Sequence, residues 1–500
     1  MSFSRVYSAQ VNILDGALIT VETDTSRGLH NFAVVGLADK AVEESRDRVS
    51  SAIKNSGYTS PKQSNQKIVV SLSPANLKKE GSYFDLAISL GYMLSNGEID
   101  FNPEGKVFLG ELALNGEVLP VRGVLALTKA ARDLGFKEIY VPDKNAKEAA
   151  LIDDIQVFPV KSLRQVVEHL DPKMKTCIDC QEKTEIVYAD MKNTIDFSDV
   201  RGQELAKRGL EIAAAGGHNI AMYGPPGTGK TMLARAFAGI LPGLSKDEVL
   251  EVTAIHSIAG LLEDSLVTER PFRSPHSTSS YVSVIGGGTY PKPGEVTLAH
   301  KGVLFLDEFP EFDRRVLESL RQPLEDRTVH ISRAKGSAIY PTNFILVAAM
   351  NPPPQNASAG EIVRYKKKIS GPIMDRIDMW VNVLNIDYDK LGSKKKEGVE
   401  SSVIKKRVLA ARDKQGIRLK GSKAKTNGEM GVKDIDKLVE LKPEVKNILN
   451  DTAKKLNLSA RAYHRVIKLA RTIADLDEQE NIELKHILEA LQYRPKQEEY

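Results

Sequence analysis

The pattern of hydrophobic and polar positions in the first 170 residues alternates between short runs typical of β-strands and longer stretches with the period of an α-helix. Short apolar runs typical of β-strands, such as Ala17–Val21 and Lys67–Leu72, alternate with stretches at helical spacing, such as Ala41–Ser56. This alternation predicts an α/β domain over residues 1–170.

A second alternating region runs from Asp199 to about residue 390. Its apolar runs have the length of buried strands and comprise His218–Tyr223, Val303–Leu306 and Phe344–Met350. A helix is predicted at Thr231–Leu241, directly after the first run. This order predicts a core over residues 196–390 with a parallel sheet covered by helices.

The last part of the chain is predicted to be helical. Residues 426–500 form a small helical domain, with amphipathic helices expected at Lys433–Leu441, Pro443–Leu456, Ala460–Leu476 and Glu483–Leu491. Two stretches connect the domains. Residues 171–195 are predicted to be a polar linker, and residues 391–425 a basic linker and helix, since thirteen Lys or Arg and only three acids lie between 390 and 425.

Composition narrows the class of protein without naming its function. The chain has 41% hydrophobic and 27% charged residues, as globular proteins do, and a net charge of +4 is too small for a polycation. Two cysteines, Cys177 and Cys180, exclude a disulfide framework, and we expect exposed thiols. Without an apolar signal core or a long apolar run, we expect a cytoplasmic protein with no membrane contact.

One short stretch fits the phosphate-binding pattern G-x-x-x-x-G-K-[ST] at every fixed position. Its residues are Gly224, Pro225, Pro226, Gly227, Thr228, Gly229, Lys230 and Thr231. Because it lies between a predicted strand and a predicted helix, its backbone N–H groups and the helix N-terminus would surround phosphate oxygens. Lys230 would contact the β- and γ-phosphates and Thr231 would bind Mg²⁺. The sequence therefore predicts ATP or GTP binding.

Further polar residues follow the predicted buried strands. Asp307 and Glu308 end the strand that begins at Val303, where Asp307 would hold the magnesium shell and Glu308 would orient the attacking water. Asn351 closes the next strand and would help to hold that water. These groups predict hydrolysis in addition to binding.

Two arginines lie further along the chain. Arg376 is in a segment rich in turn residues, and it is a candidate for an arginine donated to a neighbour's γ-phosphate. A solvated salt bridge is the competing interpretation. Arg461 begins a predicted helix of the last domain, from which it would reach a nucleotide.

The order of these motifs resembles AAA+ ATPases, and longer runs resemble their magnesium-chelatase-like branch. Those runs are Arg270–His276, Gly286–Gly288, Pro291–Glu295, Leu298–Glu308 and Leu320–Glu325. Over nearly the whole chain the sequence is similar to the YifB/ComM subfamily of that branch. The resemblance implies that Lys230, Thr231, Asp307, Glu308 and Asn351 act on ATP in cis. It implies that Arg376 acts in trans and that Arg461 is the second sensor, and we expect Val200, Gly202 and Gln203 to join the nucleotide site.

The first domain resembles the proteolytic domain of Lon proteases through Lys78–Ser82, Phe108–Leu112 and Gly123 with its following helix. Lon-type cleavage needs a serine activated by a lysine. The corresponding positions hold Tyr83 and Leu125, with Ser82 and Lys129 nearby, so we expect no peptidase activity. A protease remains a minor alternative.

Two departures from the family pattern concern metal and histidine chemistry. Relatives often carry a cysteine-rich insert after the Asn-Pro of the third strand, whereas Asn351-Pro352 is followed by a stretch without cysteine. We expect no metal site there. Adjacent histidines in relatives correspond to His276-Ser277, which places in doubt any role that needs both.

The resemblance implies a hexameric ring that uses ATP and Mg²⁺ to drive DNA branch migration in recombination or natural transformation. Its partners would be branched or single-stranded DNA and recombination proteins. The first alternative is a chelatase-type motor that remodels a partner protein, although that class normally lacks the Lon-like front domain. A predicted hairpin over residues 328–341 would contact DNA phosphates through Arg333 and Lys335, and the basic stretch 390–425 is a second candidate.

Overall fold

The computed structural model describes residues 3–63, 65–174, 176–188, 195–262, 266–288, 291–333, 336–353, 357–366, 368–385 and 398–495. Its contacts divide the chain into two compact units. The first comprises Met1–Val187 and Lys246–Val267, and the second comprises Tyr188–Ser245 and Thr268–Tyr500. Within the described ranges no helix is long and apolar enough to cross a membrane.

Two sheets and a hairpin form the framework of the first unit. Its strands are β1 (Phe3–Asn12), β2 (Asp15–Arg27), β3 (Asn31–Val35), β4 (Gln66–Ser73), β5 (Lys106–Phe108), β6 (Glu111–Leu112), β7 (Val118–Leu119), β8 (Glu138–Pro142) and β9 (Gln156–Val160). The first sheet has the order β1-β2-β4-β3, in which only β3 and β4 are parallel. The second is parallel, in the order β5-β8-β9, and β6 pairs with β7.

Helices cover these sheets. They are Lys40–Asn55, Asp85–Ser95, Val124–Asp133, Ala146–Ala149, Leu163–Leu170 and, from later in the chain, Lys246–Ala259. The first begins where the Asp39 side chain accepts a hydrogen bond from the Val42 N–H, which satisfies a backbone donor at the helix N-terminus. The α/β prediction for this part of the chain is confirmed.

A buried ion pair joins two of these helices. Both Nε and Nη2 of Arg48 donate to the carboxylate of Asp85, at 2.7 and 3.1 Å, and the Leu112 N–H donates to the same carboxylate at 3.2 Å. The Asp85 side chain is 1% exposed. The pair therefore fixes helix Lys40–Asn55 against helix Asp85–Ser95.

A parallel sheet forms the centre of the second unit. The strands of the unit are β10 (Ile220–Tyr223), β11 (Phe272–Arg273), β12 (Gly286–Gly287), β13 (Lys292–Pro293), β14 (Val303–Leu306), β15 (Thr328–Arg333), β16 (Gly336–Pro341), β17 (Ile345–Met350) and β18 (Met379–Asn382). The central sheet has the order β11-β14-β17-β10-β18, with every pair parallel. The antiparallel hairpins β12–β13 and β15–β16 lie outside it.

The helices of the second unit are Glu204–Gly216, Lys230–Ile240, Tyr281–Ile285, Glu295–Leu298, Arg314–Ser319, Arg321–Asp326, Ala359–Lys366, Gly371–Met374, Ser401–Arg418, Val432–Leu438, Pro443–Lys455, Ala460–Leu476 and Leu484–Gln492. The parallel-sheet core, the hairpin over residues 328–341 and the C-terminal helices are thus confirmed. The helix expected to reach Leu441 ends at Leu438, because Val439 has extended backbone, and the next helix starts at Pro443.

Buried polar groups join the C-terminal helices to the sheet. The hydroxyl of Thr472 lies 2.9 Å from Nε2 of His218, just before β10, and accepts a hydrogen bond from Nδ2 of Asn427 at 3.1 Å. Nδ2 of Asn427 also donates to Asp475 at 2.8 Å. Burial lowers the pKa of His218 to about 4, so this imidazole is neutral near pH 7. Because each group has a partner, the polar junction lies inside the core without unpaired charge.

We expect Asp85→Ala to destabilise the first unit by about 3–5 kcal/mol, because the guanidinium of Arg48 would lose its partner in a poorly solvated site. Hydrogen exchange of helix Asp85–Ser95 in the full chain measures this loss. Asp47→Ala is the matched control, since the Asp47–Lys62 pair is exposed and such pairs contribute at most about 1 kcal/mol. Equal protection of the helix in both variants would contradict the prediction.

Candidate nucleotide-binding site

The stretch 224–231 forms a loop between β10 and helix Lys230–Ile240. Gly227 and Gly229 have φ values of 80° and 88°, in the left-handed region that favours glycine. A Cβ atom placed on either residue would have no heavy atom within 4 Å. The loop therefore presents bare backbone to an open space at the helix N-terminus, as a phosphate site requires.

Lys230 is held inside this loop. Its Nζ donates to the carbonyl oxygens of Gly224 and Pro225, both at 2.7 Å, and the residue is 7% exposed. Burial lowers the pKa of Lys230, while the nearby Asp307 carboxylate acts in the opposite direction. Thr228 closes the turn by donating from Oγ1 to the Pro225 carbonyl at 2.9 Å. The ammonium group is thus in place to meet phosphate oxygens.

Thr231 and Asp307 form the second part of the site. Oγ1 of Thr231 donates to Oδ2 of Asp307 at 3.0 Å, which brings the helix start to the carboxyl end of β14. Within the described ranges no three His, Cys, Asp or Glu residues form a metal-binding group. A hydroxyl with one carboxylate suits Mg²⁺, which keeps water molecules and takes further ligands from nucleotide phosphates.

Glu308 follows directly and has a left-handed backbone, with φ of 50°. Its N–H donates to Oδ1 of Asp307 at 2.9 Å, and its side chain is exposed. Left-handed backbone is unfavourable for a residue with a Cβ atom. Here it ends the strand in a tight turn directly after Asp307.

Asn351 lies beside Glu308, at the end of β17. Both line a cavity of about 590 Å³, together with Arg364, Tyr365 and Lys368 from the segment around helix Ala359–Lys366. The Tyr365 hydroxyl donates to the carbonyl of Asn351 and fixes the helix to the strand end. Sequence reasoning missed these three residues, because no motif marks the segment after Asn351.

Val200, Gly202 and Gln203 were expected to join the nucleotide site, and of these Gln203 contacts the phosphate loop. Its Nε2 donates to the carbonyl of Leu384 at 2.6 Å and to that of Thr228 at 3.5 Å. Gly202 has a φ of 63° and forms the turn. The side chain of Val200 is buried in the hydrophobic core of the second unit.

Arg376 lies at the opposite edge of the sheet. The phosphate loop follows β10, whereas Arg376 precedes β18, and these parallel neighbours pair Ile220 with Met379. The carboxyl ends of parallel strands meet at one edge, and four residues of strand span about 13 Å. The chain therefore places Arg376 away from its own phosphate loop.

Arg461 shares a partner with Arg376. Nη2 of Arg376 pairs with Oε2 of Glu325, and Nη2 of Arg461 donates to Oε1 of the same carboxylate at 3.0 Å. Glu325 belongs to helix Arg321–Asp326. The two arginines, which lie far apart in sequence, are thus neighbours.

The predicted DNA-contacting residues are described in part. Arg333 ends β15 and is exposed, and a Cβ atom on Gly287 would lie 2.7 Å from its guanidinium. The hairpin thus packs closely on β12. Lys335 and residues 386–397 of the basic stretch lie outside the described residues, while helix Ser401–Arg418 forms most of the remainder of that stretch.

The first unit holds a different arrangement at the Lon-type positions. Leu125 is 3% exposed, and burial raises the pKa of Tyr83, the residue at the serine position. The Ser82 hydroxyl donates to Glu111 and the Lys129 side chain is exposed. Serine and lysine are therefore not paired with each other. Cys177 and Cys180 are free and exposed, as expected.

Sequence comparison connects all three parts of the chain with one family. Residues 196–391 match the family described as "Magnesium chelatase, subunit ChlI". Residues 21–145 match "Subunit ChlI of Mg-chelatase", and residues 398–494 match "Magnesium chelatase, subunit ChlI C-terminal".

Individual relatives extend the likeness to almost the full length. The chain is 39% identical to "Competence protein ComM" of Haemophilus influenzae, over 99% of this chain and 98% of the relative. It is 40% identical to YifB of Escherichia coli, over 99% and 97%. The "Magnesium-chelatase 67 kDa subunit" of Chlorobaculum parvum is 31% identical over 32% of this chain and 23% of the relative. This chain therefore belongs to the ComM/YifB subfamily of the magnesium-chelatase-like AAA+ ATPases, a family of ATP-hydrolysing motors.

Proposed function

We propose that the protein is an ATP-driven ring motor that moves or remodels DNA, as a branch-migration factor or helicase in recombination or natural transformation. The observation that carries the DNA part is the likeness to a competence protein over 99% of the chain. The ATPase part is supported by the site itself, where Lys230, Thr231, Asp307 and Glu308 converge at one edge of a parallel sheet.

Binding of ATP in this proposal uses the phosphate loop. The N–H groups around Gly227 and Gly229 surround phosphate oxygens, and Lys230 exchanges its loop carbonyl partners for the β- and γ-phosphates. Thr231 and Asp307 hold the magnesium shell. A magnesium ion bound by these residues would supply positive charge to the phosphates of the leaving group.

Hydrolysis depends on the two polar groups beside that shell. Glu308 accepts a hydrogen bond from the attacking water and orients it, and the amide of Asn351 gives the water a second partner. Both residues line the same cavity, where a water molecule can reach them. Fixed donors and acceptors at the site lower the cost of reorganisation in the transition state.

Arg376 gives the motor its dependence on assembly. Because it lies at the edge opposite its own phosphate loop, it would complete the site of an adjacent protomer, where it stabilises charge on the transferred phosphoryl group. A closed ring of identical interfaces repeats this arrangement at every protomer. The hexamer is proposed from the family resemblance.

The hairpin β15–β16 is the proposed DNA contact. It connects helix Arg321–Asp326 with β17, whose last residue precedes Asn351, so its position is tied to the nucleotide site through the chain. Arg333 near its tip, with Lys335, would neutralise backbone phosphates and so bind without preference for sequence.

A chelatase-type motor acting on a partner protein is the alternative function. The family matched by residues 21–145 bears a chelatase description, so the front domain does not by itself exclude this role. The extent of the sequence similarity favours the function on DNA, because the chelatase relative matches 32% of the chain and the competence protein matches 99% of it. An ATP-dependent peptidase is a minor alternative, disfavoured by Tyr83 and Leu125 at the dyad positions.

The ATPase rate of the full-length protein with and without DNA tests the proposal. Single-stranded, duplex and branched DNA are compared at equal nucleotide concentration. We expect at least one of them to raise kcat for ATP hydrolysis several-fold. A protein that hydrolyses ATP at one rate under all four conditions and binds none of these DNAs would overturn the DNA function and leave the chelatase-type motor.

We expect Lys230→Ala and Glu308→Gln to separate binding from hydrolysis. Lys230→Ala removes charge-assisted phosphate contacts and should weaken binding of a fluorescent ATP analogue at least about tenfold. Glu308→Gln should bind it normally and hydrolyse ATP about 10²–10⁴-fold more slowly, because the amide orients water poorly. Lys454→Ala is the control, because Lys454 is an exposed lysine of helix Pro443–Lys455. Hydrolysis by Glu308→Gln at the parent rate would refute the assigned role.

Arg333→Ala combined with Lys335→Ala should weaken DNA binding for every sequence alike. Each lost phosphate contact should flatten the slope of log affinity against log salt by about one unit, because one fewer counterion is released. Fluorescence anisotropy across a salt series measures the slope, again with Lys454→Ala as the control. An unchanged slope with unchanged unwinding would transfer the DNA contact to the basic stretch 390–425.

A further inference from the structure

Glu325 links Arg376 with Arg461, and nothing in the sequence suggests this link. Its two carboxylate oxygens are divided between them, with Oε2 paired to Arg376 and Oε1 accepting from Arg461 at 3.0 Å. One carboxylate with a guanidinium on each oxygen holds the two cations side by side, although like charges repel.

Other contacts fix Arg376 in this arrangement, whereas Arg461 depends on Glu325. Nη1 of Arg376 donates to the Pro372 carbonyl at 2.6 Å, and its Nε donates to the Arg321 carbonyl at 3.2 Å. The Arg376 side chain is 12% exposed, so the residues packed around it restrict its movement. The Arg461 side chain is 64% exposed, and Glu325 is the partner that orients it.

Arg465, on the same helix as Arg461, contacts the segment that carries Arg376. Nη1 of Arg465 donates to the Ile377 carbonyl at 2.9 Å, and its Nη2 lies 3.5 Å from the Asp375 carboxylate. Arg461 and Arg465 are one turn apart on helix Ala460–Leu476. The start of this helix is therefore fixed to the segment that carries Arg376, independently of Glu325.

We infer that Glu325 is a positioning residue that holds Arg376 and Arg461 as one cationic pair, and that both arginines serve the same ATP, in the adjacent protomer. The argument is geometric. Arg376 lies at the edge of the sheet opposite its own phosphate loop, and Arg461 shares its carboxylate. The inference rests on the proposed assembly-dependent hydrolysis and deepens it.

The chemistry of the pair suits a transferred phosphoryl group. Charge in that transition state spreads over several oxygens, so two planar guanidinium groups held together match it better than one. Glu325 cancels part of their mutual repulsion and limits the freedom of the exposed Arg461. Without it the pair would lose alignment, and a misplacement of about 1 Å costs about 10²-fold in rate.

The first experiment measures steady-state ATP hydrolysis without DNA for Glu325→Ala, Glu325→Gln and Glu325→Asp in the full-length protein. We expect kcat to fall about 10²-fold in the first two, with KM for ATP within about threefold of the parent, and the aspartate to recover part of the rate. Glu318→Gln is the matched control, since Glu318 pairs with Arg321 at 3.3 Å and contacts neither arginine of the pair. Thermal unfolding and sedimentation confirm that each variant folds and assembles.

The second experiment mixes protomers. Lys230→Ala protomers have intact arginines, so mixing them with Arg376→Ala protomers should restore hydrolysis, and mixing them with Arg461→Ala protomers should do the same. Adding Glu325→Ala to a variant that lacks both arginines should cost no further rate, because a positioning residue acts only through them.

Each result decides the inference. A parent-like or higher kcat for Glu325→Ala and Glu325→Gln would overturn the positioning role, a higher rate meaning that Glu325 restrains the arginines. Recovery with Arg376→Ala but not with Arg461→Ala would overturn the shared site and leave Arg376 in trans. A parent protein without ATP hydrolysis would instead refute the proposed function.

Discussion

The arrangement of the second unit depends on Asn219, the residue before β10. Its Oδ1 accepts a hydrogen bond from the Leu346 N–H of β17 at 2.9 Å, and its Nδ2 donates to the Arg376 carbonyl at 3.2 Å. Its backbone N–H donates to Asp378 at 2.9 Å. One amide side chain thus fixes the starts of three adjacent strands in register. Because strands are stiff, setting their starts also sets their ends, where Lys230 and Asn351 act.

This junction gives the sheet two functional edges. The carboxyl edge carries the phosphate loop, the acidic pair and Asn351, as expected for a parallel sheet whose ligands bind beyond the strand ends. The amino edge carries Arg376 and, through Glu325, Arg461. In the proposed assembly each chain would hold part of one ATP site at either edge, and hydrolysis would then depend on assembly.

The sequence predicted much of this because the relevant signals are local. The phosphate loop has fixed spacing, buried strands appear as apolar runs, and the hairpin over residues 328–341 shows period-two alternation around a turn. Glu325 and Asn219 gave no such signal, since a single carboxylate or amide acquires its role only from partners distant in the chain. Glu325 lies 136 residues from Arg461, and Asn219 lies 157 residues from Arg376. The same limit applies to Arg364, which lines the cavity with Glu308.

The hairpin β15–β16 lies between helix Arg321–Asp326 and β17 along the chain, and one carboxylate fixes its base. Glu429 pairs with Arg327, just before β15, and accepts from Nδ2 of Asn343, just after β16, at 3.2 Å. The Thr342 N–H donates to the Arg327 carbonyl at 2.8 Å, which closes the base further.

With its base closed, the hairpin responds as one body to the elements on either side. Helix Arg321–Asp326, which carries Glu325, ends one residue before Arg327, and β17 carries the chain from Asn343 to Asn351. A neighbour's phosphate that binds Arg376 and Arg461 would therefore act, through Glu325, on one side of the hairpin base, and the chain's own ATP would act on the other. In the proposed ring, the hairpin tip would then follow the difference between two adjacent nucleotide sites, which is the signal that sequential movement around a ring requires.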